Sequence, residues 1–395
     1  MARFSARHMA IRRRMARFWG RLVNFVRLPW YRRLSQSQLL LTGALLGIGL
    51  ATVYSAIASD LRKQLISATL GLLVYVAAAF LDPKRLLRAT TGLYIACLLL
   101  LLFVRVHGHS ALGSQRWISL GGFQVEPSEI SKLMLVIVLA KHLGQPGRVG
   151  LRRVVTACAL AAPPMLLILA QPDLGTAIVF GCVLGGLLFV AGAPRLQLAA
   201  LGAAAVAAIP MAPHFLHAYQ RQRLEIFLDP SKDPLGAGYN LLQARIAIGS
   251  GGVFGAGWLH GLQGSLGYVP ERATDFVFAV FAEQFGLIGC IVLLTLYALL
   301  LLSLLRSAAI APDPFTKLLV CGVALMIFAQ VVENIGMNIG ILPITGIPLP
   351  FVSYGGSALV TQLAGLGLVQ GLMLRRRLVV HSALRSDEYL LKLTA

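Results

Sequence analysis

Long apolar runs separated by short basic stretches dominate the chain. Runs near 39–57, 64–81, 92–106, 128–143, 154–170, 175–192, 197–213, 275–305, 317–340 and 356–374 predict ten helices. A segment in lipid must satisfy its own backbone, and a helix needs roughly 20 residues to cross the hydrocarbon core. A closed barrel would show short alternating strands, and none are visible. The expected fold is an all-α integral membrane protein with about ten transmembrane helices.

Polar positions set the orientation. With a cytoplasmic start, alternate loops are basic: Lys84, Arg85 and Arg88; Arg148, Arg152 and Arg153; Arg195; Arg306 and Lys317; Arg375, Arg376 and Arg377. This pattern places both termini in the cytoplasm. Three long non-apolar stretches, 107–127, 214–274 and 342–355, then fall on the extracytoplasmic side, the longest between spans seven and eight. The expected organisation is a basic cytoplasmic arm over 1–38, a polytopic membrane domain over 39–375 and a short cytoplasmic tail over 376–395. The arm mixes Arg14, Arg17, Arg21 and Arg27 with Phe18, Trp19, Leu22, Phe25 and Val26, which suits an interfacial amphipathic helix or a plain topogenic arm. Ala56-Ile57-Ala58 resembles a signal-peptidase site, but the long basic region and the many later spans make the first run an anchor. No fixed-period internal repeat is visible, which weakens a reading built on inverted transporter repeats.

Composition agrees with the pattern. Hydrophobic residues make up 57% of 395 residues, charged residues 13%, and the mean hydropathy is +0.77, far too apolar for a soluble surface. The net charge of +20 could suggest nucleic acid, yet ten Arg precede Ser35 and most other basic residues sit in short loops beside anionic headgroups. Cys97, Cys158, Cys182, Cys290 and Cys321 are scattered through apolar runs with no CxxC pair, so they indicate neither a disulfide framework nor a metal site.

The outer stretches hold the candidate chemistry. In Gln115-Arg116-Trp117 through Pro127-Ser128-Glu129-Ile130-Ser131-Lys132, Ser128 can cap a helix, with Glu129 and Lys132 sharing a face at i and i+3. These residues make either a local ion pair or, with Arg116, a cationic site for an anionic ligand. Gln171-Pro172-Asp173-Leu174-Gly175-Thr176 is expected to be a tight turn in which Asp173 caps or shapes a site. The glycines of 249–257 would allow close approach to a ligand, without any Walker-type Lys-Ser. Asp275 stands where the outer loop becomes a helix, either as a capping partner or as chemistry. Pro343, Pro348 and Pro350 keep the last stretch from forming helix, and Ser353, Tyr354 and Ser357 offer neutral hydrogen bonds there.

Taken in order, Gln115-Arg116-Trp117, Pro127-Ser128-Glu129, Gln171-Pro172-Asp173-Leu174-Gly175-Thr176, Pro270-Glu271 with Thr274-Asp275-Phe276, and Pro348-Leu349-Pro350-Phe351 through Ser357 resemble the SEDS family of shape, elongation, division and sporulation proteins. The resemblance runs from about Ser37 to Leu374. Asn334-Ile335-Gly336-Met337 followed by Pro343-Ile344-Thr345-Gly346-Ile347-Pro348 looks more like the RodA branch than the FtsW branch. Where many relatives have His before Thr-Asp-Phe, this chain has Arg272-Ala273, which bears on positioning around Asp275.

The resemblance implies a peptidoglycan glycosyltransferase of the bacterial cytoplasmic membrane that polymerises lipid II for elongation and rod shape. Asp275 matches the family's catalytic Asp. The implied substrate-binding residues are Arg116, Lys132, Glu129, Gln115, Asp173, Ser353, Tyr354 and Ser357. A divalent cation, Mg or Mn, is expected near Asp275, with no organic cofactor. The implied partners are a class B penicillin-binding protein and elongation-complex proteins such as MreC. A lipid II flippase, an FtsW-like division polymerase and a non-catalytic scaffold are the competing readings.

Overall fold

The computed structural model describes residues 36–111, 114–120, 123–208, 210, 218–234 and 236–393, and side chains at all of these except 109–116, 119–120, 123, 218–219 and 376–393. Of the arm expected over 1–38, residues 1–35, which include its proposed amphipathic helix, lie outside the described residues, and 36–38 already belong to the first helix.

Each predicted apolar run contains a helix among the described residues. In chain order these are α1 (Gln36–Ala56), α2 (Asp60–Phe80), α3 (Pro83–His107), α4 (Pro127–Leu143), α5 (Leu151–Ala170), α6 (Leu174–Val190) and α7 (Arg195–Ala208). After a long insertion come α11 (Val277–Ala309), α12 (Pro314–Ile339) and α13 (Gly356–Leu393). By length and apolar composition, α1, α2, α3, α5, α11, α12 and Gly356–Arg375 of α13 can each cross a membrane. Helices α6 and α7 are shorter apolar elements, and α4 is buried along nearly all of its 17 residues. The chain is therefore an all-α, multi-pass membrane protein.

Several boundaries move for local reasons. Helix α3 begins at Pro83 rather than near 92 because Asp82 accepts a hydrogen bond from the Lys84 amide and Pro83 occupies the first turn. Lys84, Arg85 and Arg88 thus lie in helix rather than loop. Helix α4 begins at Pro127, and Ser128 does not cap it: the cap position is Glu126, and the Ser128 hydroxyl donates to the Glu126 carboxylate at 2.9 Å. Helix α13 continues to Leu393, so the segment expected as a short tail prolongs the last helix.

The stretches expected as loops are also structured. Residues within 107–127 form an antiparallel meander, β1 (His109–Ala111), β2 (Ser114–Leu120) and β3 (Phe123–Val125), with Trp117 opposite His109 and Ile118 opposite Val125. The long insertion folds into α8 (Ala218–Leu228), a single 3-10 turn, α9 (Ala237–Ser250) and the short α10 (Leu262–Ser265). With the alternation of spans, these elements and the 341–355 segment share one end, opposite the basic loops; we term it the outer end.

The middle of the bundle is α12 with α4 and α13, and the spanning windows of α12 and α13 are 78% and 83% buried against 22% for α3. Helices α2 and α13 pack with their backbones close. A methyl on Gly367 or Gly371 would collide with the carbonyl of Tyr75 or Ala79. Small residues at such a crossing let dispersion contacts replace the hydrophobic drive that lipid removes. Helix α11 breaks at Gly286, whose φ of 61° and ψ of −162° suit only glycine. Its outer part, from Val277 to Gln284, is buried, while Leu287, Ile288 and Ile291 below the break are exposed.

Candidate functional site

Asp275 is half-buried in the turn leading into α11. It does not cap that helix: the cap position is Phe276, which has no side-chain cap bond. The capping role open to Asp275 on sequence grounds is therefore set aside. Instead, three successive carbonyls around it are held. Ala273 O accepts from the Tyr354 amide at 2.7 Å, and Thr274 O accepts from the Ser353 hydroxyl at 2.6 Å. Asp275 O accepts from Asn334 Nδ2 at 2.9 Å and from Asn338 Nδ2 at 3.0 Å. Asn334 Nδ2 also reaches Ile347 O at 2.9 Å, so one amide ties the Asp275 turn to the loop after α12. A carboxylate carried on backbone pinned at three adjacent positions loses little orientation entropy when a reaction needs it, which is how rigid sites raise effective concentration.

The loop opposite Asp275 supplies the second feature. Gly346 has a φ of +74°, and a methyl placed on it would stand 3.4 Å from Asp275 Oδ2 and 3.6 Å from Arg223 Nη1. The carboxylate and the guanidinium thus both border the space above this glycine, which lacks a side chain to fill it. Arg223, on α8, also donates from Nη1 to Ile344 O at 3.1 Å. Sequence reasoning missed Arg223. The available signal was charge, since Arg221 and Arg223 are basic residues on a side where the positive-inside bias disfavours them.

A second charged group lies on the far side of the same loop. Lys132 Nζ is 2.7 Å from Glu129 Oε1, and the two side chains are 0% and 3% exposed. Asp173, fully buried, caps α6 by accepting from the Thr176 amide at 3.1 Å, as its motif predicts. Glu333 on α12 is also buried, beside the Thr345 hydroxyl, and it feels the charges of Lys132 and Asp173. Gly175 packs against Ile347 and Thr345, which brings this group to the other face of the turn containing Gly346.

The remaining predicted residues separate by environment. Ser353 is 4% exposed, and its hydroxyl also accepts from the Leu349 amide, so it braces the Asp275 turn from within. Ser357 accepts from the Glu126 amide at 3.0 Å, joining the start of α13 to the entry of α4. Tyr354 packs beside Ala273 and Val280. Gln115 and Arg116 lie on β2, and their side chains are outside the described residues. The glycines of 249–257 do approach something closely, but it is α11: a methyl on Gly251 or Gly255 would collide with Ala282 O or Gln284 O.

Comparison with known proteins bears on this arrangement. A family model described as "Cell cycle protein", FTSW_RODA_SPOVE, matches residues 36–377. The chain belongs to the FtsW/RodA/SpoVE family. It is 42% identical to the peptidoglycan glycosyltransferase MrdB of Escherichia coli (strain K12), over 88% of this chain and 96% of that one. It is 32% identical to the peptidoglycan glycosyltransferase RodA of Treponema pallidum, over 84% and 96% of the two chains. Among solved structures, a chain from a peptidoglycan synthase complex that coordinates polymerisation and crosslinking superposes with a TM-score of 0.76 at 37% identity, covering 87% of this chain and 98% of that one. The crystal structure of Thermus thermophilus rod shape determining protein RodA superposes with a TM-score of 0.66 at 33% identity, covering 86% and 96%.

The donor set in this family member does not suit a protein-held metal. Among the described residues no three His, Cys, Asp or Glu side chains converge, and the charged neighbour of Asp275 across Gly346 is the Arg223 guanidinium. One carboxylate beside a cation is a poor cage for a divalent ion, which would need substrate phosphate oxygens to complete its shell.

Proposed function

We propose that this chain polymerises lipid II into glycan strands at the outer face of the bacterial cytoplasmic membrane, as a peptidoglycan glycosyltransferase. The observation that carries the reading is the placement of Asp275. It is a half-buried carboxylate at the outer end, on backbone fixed by Ser353, Tyr354, Asn334 and Asn338, in a chain 42% identical to a named peptidoglycan glycosyltransferase. A polyprenyl tail stays in lipid while its diphosphate and sugars reach this end, so donor and acceptor meet the carboxylate without leaving the membrane.

Each residue then has a task. Asp275 accepts the proton of the acceptor sugar's 4-hydroxyl as that oxygen attacks the donor's anomeric carbon. The new carbon–oxygen bond forms as the bond to the lipid diphosphate breaks, and the diphosphate departs with the electron pair. Arg223 is placed to meet negative charge growing on the leaving group, where a planar fork of donors suits phosphate oxygens. Arg116 on β2 is the second candidate cation. Lys132 and Glu129 act through the scaffold, because reaching substrate would require breaking a buried pair. Mg or Mn, if recruited, would bind through the diphosphate with Asp275 nearby and would supply charge neutralisation there. The partner proposed for this activity is a class B penicillin-binding protein that crosslinks the strands, together with elongation-complex proteins such as MreC.

The test is polymerisation of purified lipid II by wild type and Asp275→Asn, with and without the transpeptidase. Glycan strands from wild type and none from the variant, at equal folding, are expected; full polymerisation by Asp275→Asn would remove the assignment. Because strand synthesis in detergent needs no second compartment, it also separates a transferase from a flippase.

A further inference from the structure

The outer loop over 251–268 contains no Asp, Glu, Lys or Arg, and its ionisable groups are His260 and Tyr268. It nevertheless exposes large apolar side chains: Phe254 at 82%, Leu262 at 68%, Leu266 at 63% and Val253 at 53%. An uncharged apolar surface of this kind marks contact with a partner or a membrane.

Its depth decides between water and lipid. The Trp258 indole donates to Ala51 O at 3.3 Å and its ring lies 6.1 Å from that of Tyr54. Ala51 is five residues before the outer end of α1, roughly 7 Å down the helix at 1.5 Å per residue. The loop goes deeper against α11. Gly252 O accepts from the Leu287 amide at 2.9 Å and Val253 O from the Ile288 amide at 3.2 Å. Leu287 is ten residues into α11, roughly 15 Å below its start.

Backbone at that depth must find protein partners, because lipid offers none. The loop finds them at the break around Gly286. Besides the two bonds above, the Ala256 and Gly257 amides donate to Glu283 O and Gln284 O at 2.9 and 3.0 Å. The Glu283 carboxylate accepts from the Gln263 and Gly264 amides at 2.7 and 2.9 Å. Helix and loop thus satisfy each other where both depart from regular structure, and the large side chains left outward over 252–266 are apolar apart from His260. They continue the exposed face of Leu287, Ile288 and Ile291.

We propose that residues 252–266 form a re-entrant loop whose apolar tip, led by Phe254, contacts the acyl chains and headgroup boundary of the outer leaflet. Trp258 sits at the level where amphipathic rings are favoured. The proposal does not depend on the catalytic assignment.

The experiment uses the full chain alone in phosphatidylglycerol–phosphatidylethanolamine nanodiscs. A spin label is placed at Phe254→Cys in a background with the five native cysteines replaced, and its collisions with oxygen and with a water-soluble nickel chelate are compared. High oxygen and low nickel accessibility is expected. Nickel accessibility equal to that of an aqueous loop would overturn the proposal, as would protection that arises only when a transpeptidase is added, since the face would then belong to a protein interface. A second readout keeps the native cysteines: lipids brominated on the acyl chain should quench wild-type emission more than that of Trp258→Phe. Equal quenching of the two would count against insertion.

Discussion

Lys132, Glu129, Asp173 and Glu333 lie sealed inside the bundle, whereas Asp275 and Arg223 stand half-buried at its outer end, and a single turn around Gly346 separates the two groups. The inner group is built for permanence, with a lysine locked against a carboxylate at 2.7 Å and no exposed face. In the outer group the backbone is fixed while the charged tips remain within reach of the membrane surface. Charge within a membrane bundle is costly in both places. The difference teaches which cost sustains the scaffold and which one remains available to a substrate.

The largest expected effect tests the outer group. Asp275→Asn should lower lipid II polymerisation by about 10²- to 10⁴-fold, the usual span for a lost general base. Its thermal midpoint in detergent should stay close to wild type, because the bonds that fix its turn are made by main-chain carbonyls. A variant that loses activity and stability together would erase the distinction between the groups.

The inner group should fail in the opposite way. Lys132→Met leaves the Glu129 carboxylate buried without its partner, and breaking a buried pair from one side costs about 3–5 kcal/mol. Adding Glu129→Gln removes the stranded charge and should recover most of the lost thermal stability. This double variant sharpens the comparison further. If it is stable and polymerises lipid II at a normal rate, Lys132 is purely structural; if it is stable and inactive, the lysine leaves its pair to meet the donor.

Arg223 comes next. Arg223→Ala should lower turnover roughly 10- to 100-fold, the equivalent of about 1.5–3 kcal/mol for a charge-assisted contact. Arg223→Lys should recover part of the loss, because it restores charge but not the planar fork. Kinetics of purified variants on lipid II provide the check. Equal activity of all three would leave Arg223 as a brace for the Ile344 carbonyl alone.

These two groups were not equally legible in the sequence. Asp173 as a cap and the pairing of Glu129 with Lys132 follow from helix spacing, and the ten apolar runs follow from what lipid demands of a backbone. Asp275 was legible through its motif, but its three pinned carbonyls were not, since they depend on Asn334, Asn338 and Ser353 arriving from distant segments. Arg223 lay in a stretch without an apolar period, where hydrophobic pattern gives no element and no facing partner. The glycines of 249–257 announced close approach correctly, yet the pattern could not say that the approaching body is α11 rather than a ligand. Three-residue strands such as β1 and β3 are too short for alternation to register.

A third charged contact, at the opposite end, sets the lower bound of the comparison. Asp82 caps α3 through the Lys84 amide at 3.1 Å and meets Arg375 Nη1 at 3.2 Å, with both side chains 33% exposed. The Lys84 N–H bond is the largest influence on its carboxyl; desolvation opposes it, and the charges of Arg375 and Arg85 with the Arg375 hydrogen bond keep the carboxyl below the usual carboxylate range. A depressed folded-state pKa adds stability above the unfolded value, near pH 4, and that contribution is lost as pH falls through the folded value. Asp82→Ala should therefore cost about 1 kcal/mol at neutral pH, mostly from the cap, with solvent screening leaving the ion pair a few tenths. Thermal scans of wild type and variant should converge as pH drops below about 4. A gap that persists in acid would mean the carboxylate's charge is not what stabilises this end, and the contrast between sealed and exposed charge would then rest on the two groups around Gly346 alone.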